Sequence, residues 1–490
     1  MAARVRIVIL SIAFLLAIVG VAHAESIFVD RSSLAGWEDG SASAPFKTIT
    51  QALELARKIR FGAPAEGIVA SKKTINLHVA AGTYVGSFAP SADPLMETLP
   101  VLLNVPRLYL RGGLQFDKAG DIVPGTETIL RAATRQGPRQ HMLVVTRTNP
   151  TAGSGFPGSL EMAGDAVTIT GFRFEGWAAD GSRPDTTNAS QSALISLDGV
   201  ADFVVRENHI THAGTFGITA RLSSGRIEGN LIAENRGVGL NLTAGSKRFP
   251  ARLEVLDNRL SNNSNGGVGL LGAAQTENDR PDLFIAHTFR RVPLPQFFDR
   301  ALHPEEVPDR LDAYLVGNEV SGSRFGIRAG GYIRDQYRLD PLDPGDETAN
   351  LTAEFVGNVS RSNSDYGVVI DAGQISAADP REYVVNIDIS FDSTTLESNG
   401  QGPALFGFWR YATSISAAAE SDLSFKFAHD STMRICGDIT RFSYENRATD
   451  PTDQAPTNNA LTVNNNALAG FCVPLYGCML ELPPTSPECN

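Results

Sequence analysis

Near the middle of this chain, Glu234 follows His212 by one repeat length, and His209 precedes His212 by three residues. An imidazole held beside a carboxylate is a common proton-transfer arrangement, because the carboxylate fixes the ring and tunes its basicity near neutral pH. A second group falls at Asp365 and Tyr366, where a carboxylate and a phenol adjoin. Arg221, Arg324 and Arg328, together with Asn241 and Asp371, form a third set. Planar guanidinium groups suit carboxylates and sulfates, and amides suit hydroxyls, so this set reads as substrate-binding. Each residue also has a plainer reading as a solvated surface group or turn carboxylate. Asp340, Asp343 and Asp346 make calcium a candidate cofactor, although they match no regular calcium-loop spacing and suit a solvated acidic loop better. Trp37, Trp177 and Trp409 are equally suited to stacking on a ring or to packing.

These residues are far apart in sequence, so a repeating element must bring them together. The repeat starts from an asparagine after an apolar strand, at Asn208, Asn230, Asn258, Asn318 and Asn358. Eight or nine residues later comes a glycine, at Gly217, Gly239, Gly267, Gly326 and Gly367. After each glycine the apolar residues alternate: Ile218 and Ala220, Leu240 and Leu242, Val268 and Leu270, Ile327 and Ala329, Val368 and Ile370. That period of two predicts strands with these residues inward. A fixed offset with variable insertions is the signature of a β-solenoid. The asparagines should form a ladder, each tolerating a left-handed backbone and bonding to the amide of the next coil. Residues outward on the glycine strands, Thr219, Arg221, Asn241, Thr243, Arg328, Val369 and Asp371, should form an exposed floor.

The ends of the chain have their own signals. Arg4 and Arg6 precede an apolar run that closes at Ala22, His23 and Ala24, which predicts a secretory signal peptide over residues 1–24. Residues 25–66 read as a strand and a helix whose Ile49, Ala52, Leu53, Ala56 and Ile59 share one apolar face, suited to covering an open sheet edge. The solenoid is expected over 67–470, with loop insertions near 134–166, 178–192, 273–310 and 332–350, and a cysteine-containing tail over 471–490. The 4 cysteines, Cys436, Cys472, Cys478 and Cys489, suit disulfides in an exported chain, in any of three pairings. The chain has 42 basic and 54 acidic residues, a formal charge of −12. Loss of Arg4 and Arg6 would leave 40 against 54, or −14, which argues against nucleic acid as a partner. No second long apolar stretch follows the leader, so no membrane span is expected after its cleavage.

The steps Glu207-Asn208-His209-Ile210, Gly229-Asn230-Leu231-Ile232 and Gly317-Asn318-Glu319-Val320, each followed by Gly-apolar-x-apolar, resemble the pectate-lyase-like family of right-handed parallel β-helix repeats. The opening Phe28-Val29-Asp30, Ala44-Pro45-Phe46-Lys47-Thr48-Ile49 and Ala81-Gly82-Thr83-Tyr84 is similar to that family as well. The resemblance implies an all-β, single-stranded right-handed parallel β-helix with an N-terminal capping helix, secreted or at a cell surface, with a cleft along the glycine strand. It also implies a polysaccharide partner. Family hydrolases place paired aspartates just before the glycine strand, where this chain has Phe216, Val238, Gly266, Phe325 and Tyr366. The Trp-Ile-Asp-His and Arg-x-Pro-x-x-Arg stretches of classical pectate lyases are missing too. Elimination needs less, a cation to neutralise the sugar carboxylate and a base, so a lyase is the favoured enzyme class. The rival expectation is a non-catalytic structural or adhesive protein of the cell surface.

Overall fold

The structure, a computed structural model, describes residues 25–137, 140–146, 165–183, 192–245, 250–264, 266–271, 310–334, 347–364, 366–376, 383–392, 395–397, 406–409, 432–436, 442–444 and 460–464. The leader, most of the 273–310 and 332–350 insertions, Asp365, the three loop aspartates and the tail cysteines after Cys436 lie outside these residues.

The described strands wind into a solenoid of three sheets, parallel throughout. One coil shows the plan. Phe203–Arg206 belongs to the first sheet, His209–Thr211 to the second and Phe216–Arg221 to the third. The next coil repeats it with Gly225–Glu228, Leu231–Ala233 and Val238–Thr243. The first sheet has twelve strands and the other two have ten each among the described residues. Apolar side chains at alternate positions fill the interior as expected. Ile218, Leu240, Leu242, Ile327 and Ala329 are fully buried, and Phe172, Phe174, Phe203 and Phe355 add stacked bulk. One continuous core runs from Ile27 to Phe355, which explains why no linker interrupts the sequence.

The asparagines form the expected ladder at the corner between the first and second sheets. Asn208, Asn230, Asn258 and Asn318 donate through Nδ2 to Oδ1 of the next asparagine at 3.1, 2.9, 3.0 and 2.9 Å. Each also bonds main-chain carbonyls, as Asn258 does to Ile227 and Leu256. The left-handed backbone, however, belongs to the residue before each asparagine, namely Glu207, Gly229, Asp257, Gly317 and Gly357, with φ between 52° and 63°. The asparagine side chain supplies the bonds while its neighbour turns the chain.

A second ladder, five residues further on, holds the corner between the second and third sheets. Asn235 Nδ2 donates to Asn263 Oδ1 at 2.8 Å, and Ser323 N donates to Asn363 Oδ1 at 3.1 Å. This ladder explains the glycines. A Cβ on Gly239 would stand 2.8 Å from the Gly267 carbonyl and 3.0 Å from Asn263 Nδ2, so the strand entry packs too closely for any side chain.

At the N-terminal end, the helix Ile49–Phe61 begins with a capping box in which the Thr48 and Gln51 side chains satisfy each other's backbone N–H. The carboxylate of Glu97 accepts from Ile49 N and Thr50 N at 2.7 and 2.9 Å, capping the same helix end. Ile49, Ala52, Leu53 and Ala56 are buried, Ile59 is partly buried, and the helix packs against Glu25–Val29, Glu97–Thr98 and Val101–Leu103. These strands end the three sheets on one side.

Around the insertion expected near 332–350, the strands reach further than the sequence suggests. Phe325–Arg334 and Glu347–Val356 are strands of ten residues each, so both flanks of the segment expected to be loop are extended sheet. Tyr366–Ser376 and Tyr383–Asp392 lengthen the next coil in the same way.

Candidate functional site

Four strands of the third sheet, Leu143–Thr146, Ala193–Asp198, Phe216–Arg221 and Val238–Thr243, set two columns of side chains on the face away from the core. Register aligns Val144, Ser196, Thr219 and Asn241 in one column, and Thr146, Asp198 and Arg221 in the other. The sequence expectation of an open floor is corrected here. Thr219, Arg221 and Thr243 are 4%, 7% and 8% exposed, and Ser196 and Asp198 are as deeply buried. The outer face is sealed along this stretch. It is apolar at first, with Leu102 and Val144 packed together outside the main core, and polar in the coils that follow.

Arg221 Nη2 lies 3.6 Å from Asp198 Oδ2 in this buried layer. His141, also buried, accepts the Ala193 N–H through Nδ1 at 3.1 Å, which leaves its proton on Nε2. Burial, reinforced by the positive charge of Arg221, pushes the His141 pKa well down, so the ring is a neutral donor. The Ser196 hydroxyl is buried with no hydrogen bond among the described residues. Asn241 Nδ2 donates to Thr219 Oγ1 at 3.2 Å at the edge of the layer. The group therefore combines a carboxylate, a cation, a neutral N–H donor and several hydroxyls, all largely dehydrated. Asp198 and Ser196 carry no repeat signature, because their coil lacks both the asparagine and the glycine, and His141 enters from the coil before it. The one available signal was register with Arg221.

The other arginines stand further along the same sheet. Arg328 is half-buried and aligns with Gly269, which aligns with Asn241. Arg324 is exposed, with its guanidinium 4.9 Å from the Phe325 ring centre. Tyr366 and Asp371 lie in the strand Tyr366–Ser376, with Asp371 in register with Gly330 and Trp409. Among the described residues, no three His, Cys, Asp or Glu side chains gather as a metal site.

His212 and Glu234 do meet, at a different place. Stacking brings His212 Nε2 to 2.8 Å from Glu234 Oε2, while Thr211 Oγ1 sits 2.9 Å from Nδ1. Trp177 covers the imidazole at a ring separation of 4.3 Å, and Arg183 lies over the indole. Burial lowers the His212 pKa despite the opposing pull of Glu234 and Glu175. The ring is thus neutral at pH 7 with both nitrogens engaged, and Thr211 is 1% exposed. This corner precedes the strand Phe216–Arg221, and Arg221 ends it, so the pair stands about 17 Å from the buried ion pair. The sequence-predicted residues therefore form two groups.

Residues 145–279 match a family model described as right handed beta helix region. The chain is a right-handed parallel β-helix. No curated protein is significantly similar to it. Among solved structures, the β-helix is similar to the A-module of the Azotobacter vinelandii mannuronan C-5 epimerase AlgE4, with 11% identity, a TM-score of 0.40, and coverage of 88% of this chain and 100% of the other. A rhamnogalacturonan lyase matches with 10% identity and a TM-score of 0.39, over 90% and 87% of the two chains. The pectate lyase Pel9A matches with 12% identity and a TM-score of 0.29, over 82% and 83%. At these identities and scores no chemistry carries over to the β-helix.

Proposed function

We propose that this chain is an exported carbohydrate-active protein that binds an acidic polysaccharide along the outer face of its third sheet and cleaves it by elimination. The observation that carries this reading is the Asp198–Arg221 pair at 3.6 Å, buried on the side of the sheet that the core does not need. One coil earlier, Thr146 is in register with Asp198 and equally buried without a charge, so the fold itself does not require an ion pair there. Burying an ion pair in place of such a residue has a desolvation cost that commonly accompanies function. Arg324 and Arg328 are assigned to sugar carboxylates, and Asn241 and Asp371 to hydroxyls, while Arg221 adds positive charge from below. In elimination a base removes the proton next to the carboxylate, the glycosidic C–O bond breaks, and a double bond forms in the sugar. His212, Glu234, Asp365 and Tyr366 are assigned as the proton-transfer groups, with the exposed Arg324 and half-buried Arg328 as the neutralising cations and the Asp198–Arg221 pair as the charged layer beneath the bound chain.

The test is incubation of the protein, starting at Glu25, with uronic-acid and neutral polysaccharides, with and without calcium, following ultraviolet absorbance and reducing ends separately. New absorbance that replacing Arg324 and Arg328 by alanine abolishes supports the assignment, and reducing ends without absorbance replace elimination by hydrolysis. Neither signal across the panel, with binding retained, supports the adhesive reading. One observation favours that second reading: the strand-opening positions Phe216, Val238, Gly266 and Phe325 hold no carboxylate. Among the described residues, no helix is long and apolar enough to cross a membrane.

A further inference from the structure

A separate cleft of about 740 Å³ opens on the outer face of the first sheet, near the start of the solenoid. Its floor comes from three successive strands, since Phe28 is in register with His78 and His78 with Arg111. The Phe28 and His78 rings stack face to face with centres 5.0 Å apart and planes 18° from parallel, so they cover each other and offer the cleft an apolar platform made of their edges and outer faces. Burial, followed by the charge of Arg111, lowers the His78 pKa, so the platform is neutral at pH 7. Arg111 is exposed beside it and forms no hydrogen bond or ion pair among the described residues. The far wall includes Glu207, also exposed, whose Oε2 accepts from Thr170 Oγ1 at 3.4 Å. Asp30 on the near rim is already engaged, accepting from Ser32 N and Oγ at 2.9 and 2.7 Å.

We propose that this cleft binds a uronic-acid unit at the end of, or within, a short acidic oligosaccharide. The volume lies within the usual range for ligand sites, roughly 300–1,000 Å³. The apolar face of a pyranose packs against the edge of the Phe28–His78 stack, its carboxylate pairs with Arg111, and its hydroxyls bond to Glu207. A single arginine opposite a carboxylate suits a monoanion rich in hydroxyls. A phosphate dianion would meet repulsion from Glu207 that one cation does not offset. The site lies on a different sheet from the proposed polysaccharide face, so either assignment can fail while the other stands.

Calorimetry at pH 7 with digalacturonic acid and with the neutral galactose disaccharide tests the cleft. The expected result is saturable binding of the acid, weakened about tenfold or more in Arg111→Gln, a loss of at least 1.4 kcal/mol. Glu207→Gln, which keeps the shape and removes the charge, should retain the preference for the acid. Equal affinity for the neutral disaccharide, no saturable binding of the acid, or unchanged affinity in Arg111→Gln would each overturn the proposal. Arg111 and Glu207 are both exposed, so neither variant threatens the fold. A thermal melt matching the parent protein verifies this.

Discussion

Asp198 and Arg221 oppose each other from adjacent strands with side chains 0% and 8% exposed, facing away from the solenoid core. Their replacement separates structural from functional need. Asp198→Asn leaves the Arg221 guanidinium buried without the carboxylate opposite it, which should cost about 3–5 kcal/mol. Replacing both residues with apolar side chains of similar volume should cost much less and still weaken polysaccharide binding, because the charge beneath the face is gone. Urea denaturation midpoints measure the first effect and a binding assay the second. A double variant as unstable as the single one would mark the pair as a structural requirement.

The ladder at the first corner is predicted to act as a chain of shared bonds. Asn258 is fully buried, donates to Ile227 O, Leu256 O and Asn318 Oδ1, and accepts from Asn230 N and Nδ2. Asn258→Ala strands several buried groups at once, each costing about 1–3 kcal/mol. A loss of at least about 3 kcal/mol in urea unfolding is expected. A loss under about 1 kcal/mol would mean that the neighbouring coils close over the gap.

Steric crowding at the second corner gives a sharper substitution. Gly217→Ala would place its Cβ 2.6 Å from the Gly239 carbonyl and 3.2 Å from Asn235 Nδ2. Backbone cannot yield as a flexible side chain does, so the strand must shift, at about 1–3 kcal/mol. Alanine at exposed Gly229, where no atom lies near the added Cβ, meets a different obstacle, its left-handed φ of 60°. The Gly217 variant should therefore alter amide exchange on the neighbouring coils, and the Gly229 variant should affect its own turn alone.

How far the sequence revealed this architecture depended on register. The first ladder was legible because all five corners keep asparagine. The second escaped because Ala213 and Ser323 interrupt it, leaving Asn235, Asn263 and Asn363 as apparently unrelated polar residues. The contact between His212 and Glu234 was legible because both occupy one register position, a step equal to that from Asn208 to Asn230. Burial of Arg221 was not legible, since alternation tells which face a side chain takes but not whether another layer covers it. Its partner Asp198 belongs to a coil with neither repeat marker, so only the strand pairing reveals it.

Glu234 is 56% exposed and raises the His212 pKa against the dominant effect of burial. Glu234→Gln should therefore move the His212 midpoint lower still, as followed by NMR of the imidazole protons. If the pair also provides the base, elimination activity should fall with it. An unchanged midpoint would show that the 2.8 Å contact is not maintained in solution.

His209 sets a pH dependence on the whole fold. Its ring faces Arg173 and His212 on the second sheet, in a network where Arg173 also pairs with Glu127 and Glu175 at 2.9 and 3.5 Å. Burial first, then the charge of Arg173, pushes its pKa down to about 4. An unfolded chain would protonate the same ring near 6.5. Because the folded value is depressed, the stabilisation is present above pH 6.5 and is lost as pH falls toward 4, by at most about 3 kcal/mol. The midpoint of urea unfolding should fall steeply across that window. In His209→Gln the curve should flatten while the remaining slope reports His78, His141 and His212, whose values are lowered too. An equally steep curve in the variant would mean that His209 is already protonated in the fold, with Glu175 and Glu127 outweighing Arg173.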